Sequence, residues 1–305
     1  KPPLHFQSLA ERKSFRWHLP YLFARFSEKR QDATSRQGPD TMSHMHRFFV
    51  PSFDDAEIQL PPLEAHHAVR VVRLRTGDRV ALFDGQGREV IATVTHIDRR
   101  DVILKVEERR EPRPMRHRLT VCMGWLKRDK SIEFAIRHGV ELGVTAFVFF
   151  RAAHSERAPQ PDEAWQRLAV ESCKQCGRLW LPSFAAYPSL DEALEATQGP
   201  RWIATKSRPA VPIACAAAST ENAVFIGPEG DFTDVETDAI LETGAKAMSL
   251  GSFTFRSEVA AIVASTLLLY EMGALGENAG ATRLGTPETM RYTGAEEHAH
   301  GSERD

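Results

Sequence analysis

From residue 118 onward, apolar segments with strand character alternate with segments of helical character. Five runs rich in branched and aromatic residues predict strands: LTVCMGW, AFVFF, RWIAT, NAVFIG and AKAMSL. Helices are predicted near 129–142, 162–176, 211–218 and 234–243, with a final helix that ends at Met272. Strands that alternate with helices form a mostly parallel sheet covered on both faces. The rhythm predicts an α/β fold for residues 118–275.

A different pattern precedes it and predicts a small β-barrel domain over residues 45–115. The segments HRFFV, RVALFD, EVIATVTHI and DVILKVEE read as strands between turn signals such as the DGQG sequence at 84–87. One helix, 63–74, interrupts them and carries Arg70 and Arg73, with Arg75 just beyond it. Residues 107–118 are highly charged and contain two prolines, which is typical of a linker between domains.

The two ends of the chain carry no clear domain pattern. Residues 1–44 are basic and aromatic, and we expect a disordered extension ahead of a start at Met45 in preference to a transit peptide. Residues 276–305 hold three Lys or Arg against six Asp or Glu and few apolar residues. That composition predicts a disordered tail.

Charge, cysteine content and hydropathy limit the class of protein. The net charge is only −2, but residues 1–137 carry 26 Lys and Arg against 18 Asp and Glu, while residues 138–305 carry 13 against 23. A basic half can face phosphate while the acidic half does other work. Four cysteines are too few for a disulfide framework, so a reducing cytoplasmic location is expected. The longest apolar stretch, 259–270, is far shorter than the roughly 20 residues that span a bilayer, so no membrane association is expected.

Two loops combine turn residues with charge. The sequence IGPEGDFT at 226–233 lies between a strand and a helix, where α/β proteins bind nucleotides and cofactors. It has neither the GxGxxG pattern nor a Walker lysine, and an ordinary strand-to-helix connection is the alternative. The sequence LGSFTFRSEVA at 250–260 places Arg256 and Glu258 just before the most apolar helix. An arginine near a core is normally paired or bound to an anion, and an Arg256–Glu258 surface pair is the alternative.

Two further segments give weaker signals. Cys173 and Cys176 form a C-x-x-C pattern, but a zinc site needs a second pair of ligands, and two small thiols on one helix pack readily, so no metal site is predicted. Arg178, just past that helix, is a candidate anion contact. Near 127–144, Lys127, Lys130 and Arg137 are free to face a polyanion, although a solvated charged face is the alternative.

Taken in order, MHRFFV, ELGV, the SER sequence at 155–157, CKQCGR, IGPEGDFT and LGSFTFRSEVA resemble the ribosomal RNA small subunit methyltransferase E family over residues 45–275. The resemblance implies a PUA-like RNA-binding barrel and a SPOUT-type methyltransferase domain with a C-terminal trefoil knot. It also implies S-adenosylmethionine as donor, N3 of the uridine called U1498 in 16S rRNA of the small ribosomal subunit as acceptor, and a homodimer. An RNA-binding protein of the ribosome with this fold and no methyltransferase activity is the alternative.

The resemblance also assigns residues to roles. The cofactor pocket should be lined by Ala204, Thr205, Lys206, Ile226, Gly227, Pro228, Glu229, Gly230, Leu250, Gly251, Phe255 and Arg256. Arg256 is expected to stabilise negative charge on the uracil carbonyl oxygens, with Glu229 or Glu258 as proton acceptor. RNA contacts are expected from Arg70, Arg73, Arg75, Lys127, Lys130, Arg157 and Arg178.

Three residues depart from the family pattern. Asp231 stands where a glycine is usual, Phe253 where an arginine is usual, and Val259 where a threonine is usual. The change at 253 removes a cation near the expected substrate, and the change at 259 removes a hydroxyl. The flanking residues that carry the resemblance, Gly251, Arg256 and Glu258, are present.

Overall fold

The computed structural model of the chain describes residues 45–98, 101–110 and 115–276. The predictions for residues 1–44 and for the tail beyond residue 276 therefore lie outside the described residues. Within the described ranges, no helix is both long enough and apolar enough to cross a membrane.

The N-terminal part is a five-stranded sheet in the order β1-β3-β4-β5-β2. Its strands are β1 (Arg47–Phe49), β2 (Glu57–Gln59), β3 (Arg79–Phe83), β4 (Glu89–Ile97) and β5 (Val102–Arg110). Only the β1–β3 pair is parallel, and two register shifts in the β4–β5 pair mark irregularities that bend the sheet. Fifteen buried apolar residues, among them Phe48, Leu82 and Leu104, form its core.

The helix predicted at 63–74 is shorter and less regular than expected. Helix α1 (Pro62–His67) begins at a proline, whose fixed φ suits the first helical turn. It continues as a π-helical turn, Ala68–Val72, and ends where Arg73 adopts a left-handed φ of 60°. The apolar pattern indicated helical character here, but it could not distinguish the wider π turn.

The C-terminal part is a six-stranded sheet in the order β11-β9-β10-β6-β7-β8, and every pair is parallel. Its strands are β6 (Arg118–Gly124), β7 (Ala146–Phe150), β8 (Ser183–Tyr187), β9 (Arg201–Ala204), β10 (Glu221–Ile226) and β11 (Lys246–Met248). Its helices are α2 (Asp129–Leu142), α3 (Glu163–Cys176), α4 (Leu190–Ala196), α5 (Asp234–Glu242) and α6 (Ser257–Glu271), with a 3₁₀ helix at Ile213–Ala218. The predicted α/β class is confirmed.

Alternate residues of the parallel strands belong to two separate hydrophobic cores, one on each face of the sheet. On β6, Val121 and Met123 belong to a cluster that also contains Ile136 of α2 and Leu268 of α6. Cys122 points to the other cluster, which includes residues of α4 and α5. This period of two, with apolar residues on both faces, is the pattern of a sheet covered by helices on both sides.

Two elements of this part were not predicted. Strand β8 has the sequence SFAAY, is at best half-buried and lies at the edge of the sheet. Helix α4 has only seven residues, too few for a clear apolar period. The helix predicted at 211–218 is the shorter 3₁₀ helix.

The turn at 84–87 joins the two sheets. The Gly87 amide donates to the Leu179 carbonyl at 3.1 Å, and the Leu181 amide donates to the Gly85 carbonyl at 2.9 Å. A Cβ on Gly87 would lie 2.3 Å from the Trp180 ring, so a side chain cannot be accommodated there. The backbone of this turn therefore forms part of the contact with the C-terminal part.

A buried ion pair also connects them. Lys174 of α3 places Nζ 3.0 Å from Glu64 Oε2 of α1 and donates to His67 Nδ1 at 2.9 Å. The Lys174 and Glu64 side chains are only 7% and 11% exposed. Burial raises the pKa of Glu64, and burial together with the Lys174 charge lowers the pKa of His67. A neutral His67 can accept a hydrogen bond from the Lys174 ammonium group through Nδ1, and this bond helps to fix α1 on α3.

Replacing Lys174 with alanine should lower the free energy of unfolding by about 3–5 kcal/mol, since it leaves the Glu64 carboxylate buried without its partner. Denaturant titration at neutral pH measures the change. Lys130→Ala on α2, an exposed lysine, is the matched control and should change stability by less than about 0.5 kcal/mol. An equal, small effect of both variants would show that the Glu64 carboxylate does not need Lys174 as its buried partner.

Candidate functional site

A cavity of about 540 Å³ lies where the loops after β6, β9, β10 and β11 meet the first turn of α6. Parallel strands direct their carboxyl ends to one edge of a sheet, which is where ligands bind in open α/β folds. The cavity is lined by Lys127, Arg128, Ser131, Ala204, Thr205, Lys206, Ile226, Gly227, Pro228, Glu229, Asp231, Leu250, Phe253, Thr254, Phe255, Arg256, Ser257, Glu258 and Ala260.

The loop after β10 is compact because its glycine leaves no room for a side chain. A Cβ on Gly227 would lie 2.9 Å from the Phe232 backbone nitrogen. Pro228 is close to the end of β6, since a Cβ on Gly124 would lie 2.7 Å from Pro228 Cδ. The loop backbone thus lies directly against the neighbouring strand and forms one wall of the cavity.

The backbone conformation at Asp231 shows how an aspartate can stand where the family pattern has a glycine. Its φ is 61°, in the left-handed region that glycine adopts freely and that aspartate tolerates better than most residues. The Asp231 carboxylate accepts the Phe232 amide proton at 2.8 Å. The backbone shape that a glycine would give is therefore kept here by an aspartate that bonds locally.

The same loop is tied to helix α5 and to the segment after β7. Thr233 and Glu236 form a capping box at the start of α5. Glu236 Oε1 also accepts the Ala153 amide proton at 2.7 Å, and His154 Nδ1 donates to the Asp231 carbonyl at 2.8 Å. These bonds fix the loop to α5 and to the segment after β7.

Glu229 connects the loop to the segment after β6. Its two carboxylate oxygens accept the Lys127 amide proton at 3.1 and 3.3 Å. The Lys127 ammonium is paired with Glu156 at 2.5 Å, and that hydrogen bond raises the pKa of Lys127. Lys127, which was expected as an RNA contact, also lines the cavity.

Lys206 joins the loops after β9 and β11. Its Nζ donates to the Ser252 carbonyl at 3.2 Å and to Thr254 Oγ1 at 3.0 Å. In addition, the Thr205 amide donates to the Met248 carbonyl at 3.2 Å. The predicted pocket residues 204–206 thus support the loop that carries Arg256.

Arg256 occupies the N-cap position of α6, with its side chain exposed at the cavity. In the described part of the chain, its guanidinium forms neither a hydrogen bond nor an ion pair. The alternative interpretation, a surface pair with Glu258, is therefore wrong. Glu258 lies in the first turn of α6 and is only 9% exposed, where the positive end of the helix dipole favours a carboxylate. The site thus presents an unpaired cation next to a buried acid.

The cavity brings together most of the residues assigned to the cofactor and to catalysis. Gly230 and Gly251 are not part of its lining: Gly230 lies against His154, and Gly251 adopts a φ of 115° in the loop before Arg256. The sequence interpretation gave no role to five lining residues, Arg128, Ser131, Thr254, Ser257 and Ala260. Arg128 ends the loop after β6 and Ser131 lies in the first turn of α2, and that place after a strand end was the available signal.

The residues assigned to RNA are dispersed. Arg70, Arg73 and Arg75 are exposed on and after the π-helical turn, and Lys130 is exposed on α2. Arg157 pairs with Asp129 at 3.1 Å and lies 5.8 Å from the centre of the Trp125 ring, with its side chain still 64% exposed. Their contact with RNA stays a prediction.

Arg178 has a structural role in place of the predicted RNA contact. Its Nη1 donates to the Val140 carbonyl at 3.0 Å and to the Val144 carbonyl at 2.7 Å, and Nη2 lies 3.8 Å from Met115 Sδ. Burial lowers the pKa of Arg178. The guanidinium caps the C-terminal end of α2, where carbonyl groups lack partners and a cation is favoured.

The cysteines do not form a reactive centre. Burial raises the pKa of Cys122 and of Cys173 to about 12, so neither is a thiolate at neutral pH. Cys176 and Cys215 are exposed and unpaired. Within the described ranges, no group of three or more metal-binding side chains comes together. Cys173 therefore packs as a small apolar residue.

Iodoacetamide at pH 8 should alkylate Cys176 and Cys215 in the folded protein and leave Cys122 and Cys173 unmodified, because the first two thiols are exposed to the reagent and the other two are buried. Peptide mass spectrometry gives the modified fraction at each site, and the same labelling in denaturant is the control that should modify all four. Rapid labelling of Cys173 in the folded state would contradict its burial.

Comparison with known proteins adds two family matches. Residues 113–269 match the RNA methyltransferase domain, and residues 63–107 match the RNA methyltransferase PUA domain. The first match covers the parallel sheet and all the cavity-lining residues. The second covers α1 and strands β3 and β4, with most of β5.

Individual proteins agree with these matches. The chain is 29% identical over 236 residues to the ribosomal RNA small subunit methyltransferase E of Synechocystis, spanning 73% of this chain and 75% of that protein. It is 26% identical over 251 residues to the protein of that name from Bacillus subtilis, spanning 74% and 97%. A ribosomal RNA small subunit methyltransferase E from Neisseria gonorrhoeae, solved bound to S-adenosyl methionine, superposes with a TM-score of 0.68 at 25% identity, covering 74% of this chain and 98% of that one. A probable rRNA-methyltransferase from Porphyromonas gingivalis gives a TM-score of 0.66 at 27% identity, with 75% and 98% covered.

Proposed function

Because the chain belongs to the ribosomal RNA small subunit methyltransferase E family, we propose that it transfers the methyl group of S-adenosylmethionine to N3 of a uridine in 16S rRNA, the position called U1498. The observation that carries the proposal is the cavity itself. It unites the loops after β9, β10 and β11 with an arginine, Arg256, that has no partner among the described residues.

The cavity fits a donor of this kind. Its volume of about 540 Å³ lies within the range of roughly 300–1,000 Å³ for small-molecule sites. Apolar side chains suited to the adenosine part come from Ile226, Pro228, Leu250 and Phe255. S-adenosylmethionine carries a sulfonium, an ammonium and a carboxylate, and the lining offers both signs of charge. Its cations are Lys127, Arg128, Lys206 and Arg256, and its acids are Glu229, Asp231 and Glu258.

When bound, the donor supplies a methyl carbon already activated by the sulfonium. The protein then has to hold the uracil N3 in line with that carbon, which is a task of orientation. The unpaired Arg256 guanidinium can stabilise the negative charge that develops on the uracil carbonyl oxygens as N3 loses its proton. Loops fixed by Lys206 and by Glu236 keep this geometry without reorganisation.

Of the two acids considered as proton acceptor, Glu258 is the better placed. Both line the cavity, but the Glu229 carboxylate already accepts the Lys127 amide proton. The Glu258 carboxylate has no hydrogen-bond partner within the described residues. A free carboxylate two residues after Arg256 could accept the N3 proton directly or through one water.

The RNA would be held by exposed cations outside the cavity. Arg70, Arg73 and Arg75 on the barrel part and Lys130 on α2 are exposed and suited to phosphate. Because pairing occupies N3 of a uridine, the target base has to be unpaired when it enters the cavity.

Arg256→Ala should reduce methyl transfer to small-subunit particles by about 100-fold to 1,000-fold, the effect of removing one preorganised charge donor. Transfer of radiolabelled methyl groups, followed by mapping of the modified nucleotide, measures it. Isothermal titration should give S-adenosylmethionine affinities for the variant and the wild type within about threefold. Arg167→Ala, an exposed arginine on α3, is the matched control.

Normal turnover of Arg256→Ala would remove this residue from the chemistry. A wild-type chain that binds small-subunit RNA but shows no affinity for S-adenosylmethionine would contradict the enzyme and favour the alternative RNA-binding role. Modification of another nucleotide would keep the activity and correct the target.

The proposal includes a homodimer, supported by the outer face of α6. The helix is apolar nearly all round, and its buried side is filled by residues such as Ala261, Ala264 and Leu268. Its other face carries Ile262, Val263, Thr266, Leu267 and Tyr270, which are half-buried or exposed. A helix that is apolar on every side is normally covered on every side, and a second copy of the chain would cover this face.

The wild-type chain should sediment as a dimer, and Val263→Glu should shift it to a monomer, because a charge would be buried at the contact. Analytical ultracentrifugation over a range of protein concentrations measures the shift. Val235→Glu, at an exposed apolar position on α5, is the matched control and should remain dimeric. A monomeric wild type would contradict the proposed dimer.

A further inference from the structure

Phe253 is the most exposed aromatic side chain at the cavity. It lines the cavity and is 79% exposed, against 37% for its neighbour Phe255. Single exposed apolar residues are common on protein surfaces, so exposure alone indicates nothing. The position at the mouth of the proposed active site is what calls for an explanation.

The backbone on both sides of this ring is held in place. Lys206 Nζ donates to the carbonyl of Ser252 and to the hydroxyl of Thr254, the two residues that flank Phe253. The ring belongs to none of the buried clusters of the described residues. It also forms no ring contact within those ranges. One lysine thus fixes a loop whose central aromatic side chain extends into solvent.

The cavity beside the ring is lined by several cations as well as by the acids Glu229, Asp231 and Glu258. Lys127, Arg128 and Arg256 line the same cavity. An aromatic face beside several cations is the combination with which proteins hold unpaired nucleotides, since the ring stacks on the base and the cations face phosphate. A purely apolar ligand would gain nothing from these charges.

We propose that the Phe253 ring stacks on an unpaired nucleobase of the RNA substrate and positions it at the mouth of the cavity. The inference rests on the proposed function and names a residue that binds the acceptor. Stacking would replace the cationic contact that the family pattern implies at this position. Since stacking involves no counterion release, this part of the binding depends little on salt.

Steady-state kinetics with the RNA substrate tests the contact. Phe253→Ala should raise KM for RNA by about 5-fold to 100-fold, the range expected for loss of one stacked base, with a smaller change in kcat. Phe253→Trp should restore KM, and Phe253→Leu, which is apolar but has no aromatic face, should not. The S-adenosylmethionine affinity should stay the same in all three. Val235→Ala, at an equally exposed apolar position, is the matched control.

A binding measurement separates this inference from the proposed function, because it needs no turnover. Tryptophan fluorescence of Phe253→Trp should be quenched by a single-stranded uridine-containing oligonucleotide more than that of the wild type. An oligonucleotide of the same length with an abasic site in place of the target uridine should quench less. If the wild type neither binds S-adenosylmethionine nor transfers methyl groups, the proposed function fails, while the quenching result still decides on Phe253.

Three results would overturn the inference. The first is a KM for RNA that is unchanged in Phe253→Ala. The second is full restoration by Phe253→Leu, which would indicate apolar packing without stacking. The third is a weakened S-adenosylmethionine affinity in Phe253→Ala, which would place the ring in the donor site.

Discussion

The parallel direction of the strands in the larger sheet is the constraint from which the site follows. Since β6, β9, β10 and β11 run the same way, the loops after them leave at one edge and have to share its space. Gly124 and Pro228 lie so close together that a side chain at position 124 would not fit. Because the four short loops pack closely at this edge, together they line one cavity. Hydrogen bonds of the Lys206 and Glu236 side chains then hold these loops in place.

The sequence predicted the elements whose apolar pattern is long or rich in branched residues. Helix α2 begins and ends at the predicted residues, because its buried stripe is regular and Gly143 ends it in a left-handed conformation. Strand β8 and helix α4 were missed because their signals are weak: one is a half-buried edge strand without a buried apolar run, and the other has two turns. The resemblance placed most of the cavity residues, since they lie in three short contiguous segments, after β9, β10 and β11. Residues such as Arg128 depend on which strand ends lie side by side, which no local pattern shows.

Side-chain direction was the least predictable property. Arg178 and Arg256 both follow or precede a helix end in sequence, and both were expected to face an anion. Arg178 instead donates to carbonyls at the end of α2, because those carbonyls lie within its reach and need donors. Arg256 lies before a helix, where the free groups are N–H donors that cannot bond a guanidinium. The polarity of the nearby helix end therefore separates a structural arginine from one left available for a ligand.

The contact between the two sheets bears on how an RNA could be read. Glu64 and His67 of α1 are held on α3 by Lys174, and the π-helical turn with Arg70 follows α1 without a break. A buried ion pair adds little net stability compared with apolar packing, but it permits only a narrow range of geometries. The exposed arginines therefore keep a fixed position relative to α3 and to the sheet that carries the cavity. Under the proposed function, a rigid spacing of this kind favours a folded RNA whose phosphates and target base are themselves fixed, as in a ribosomal particle, over a flexible single strand.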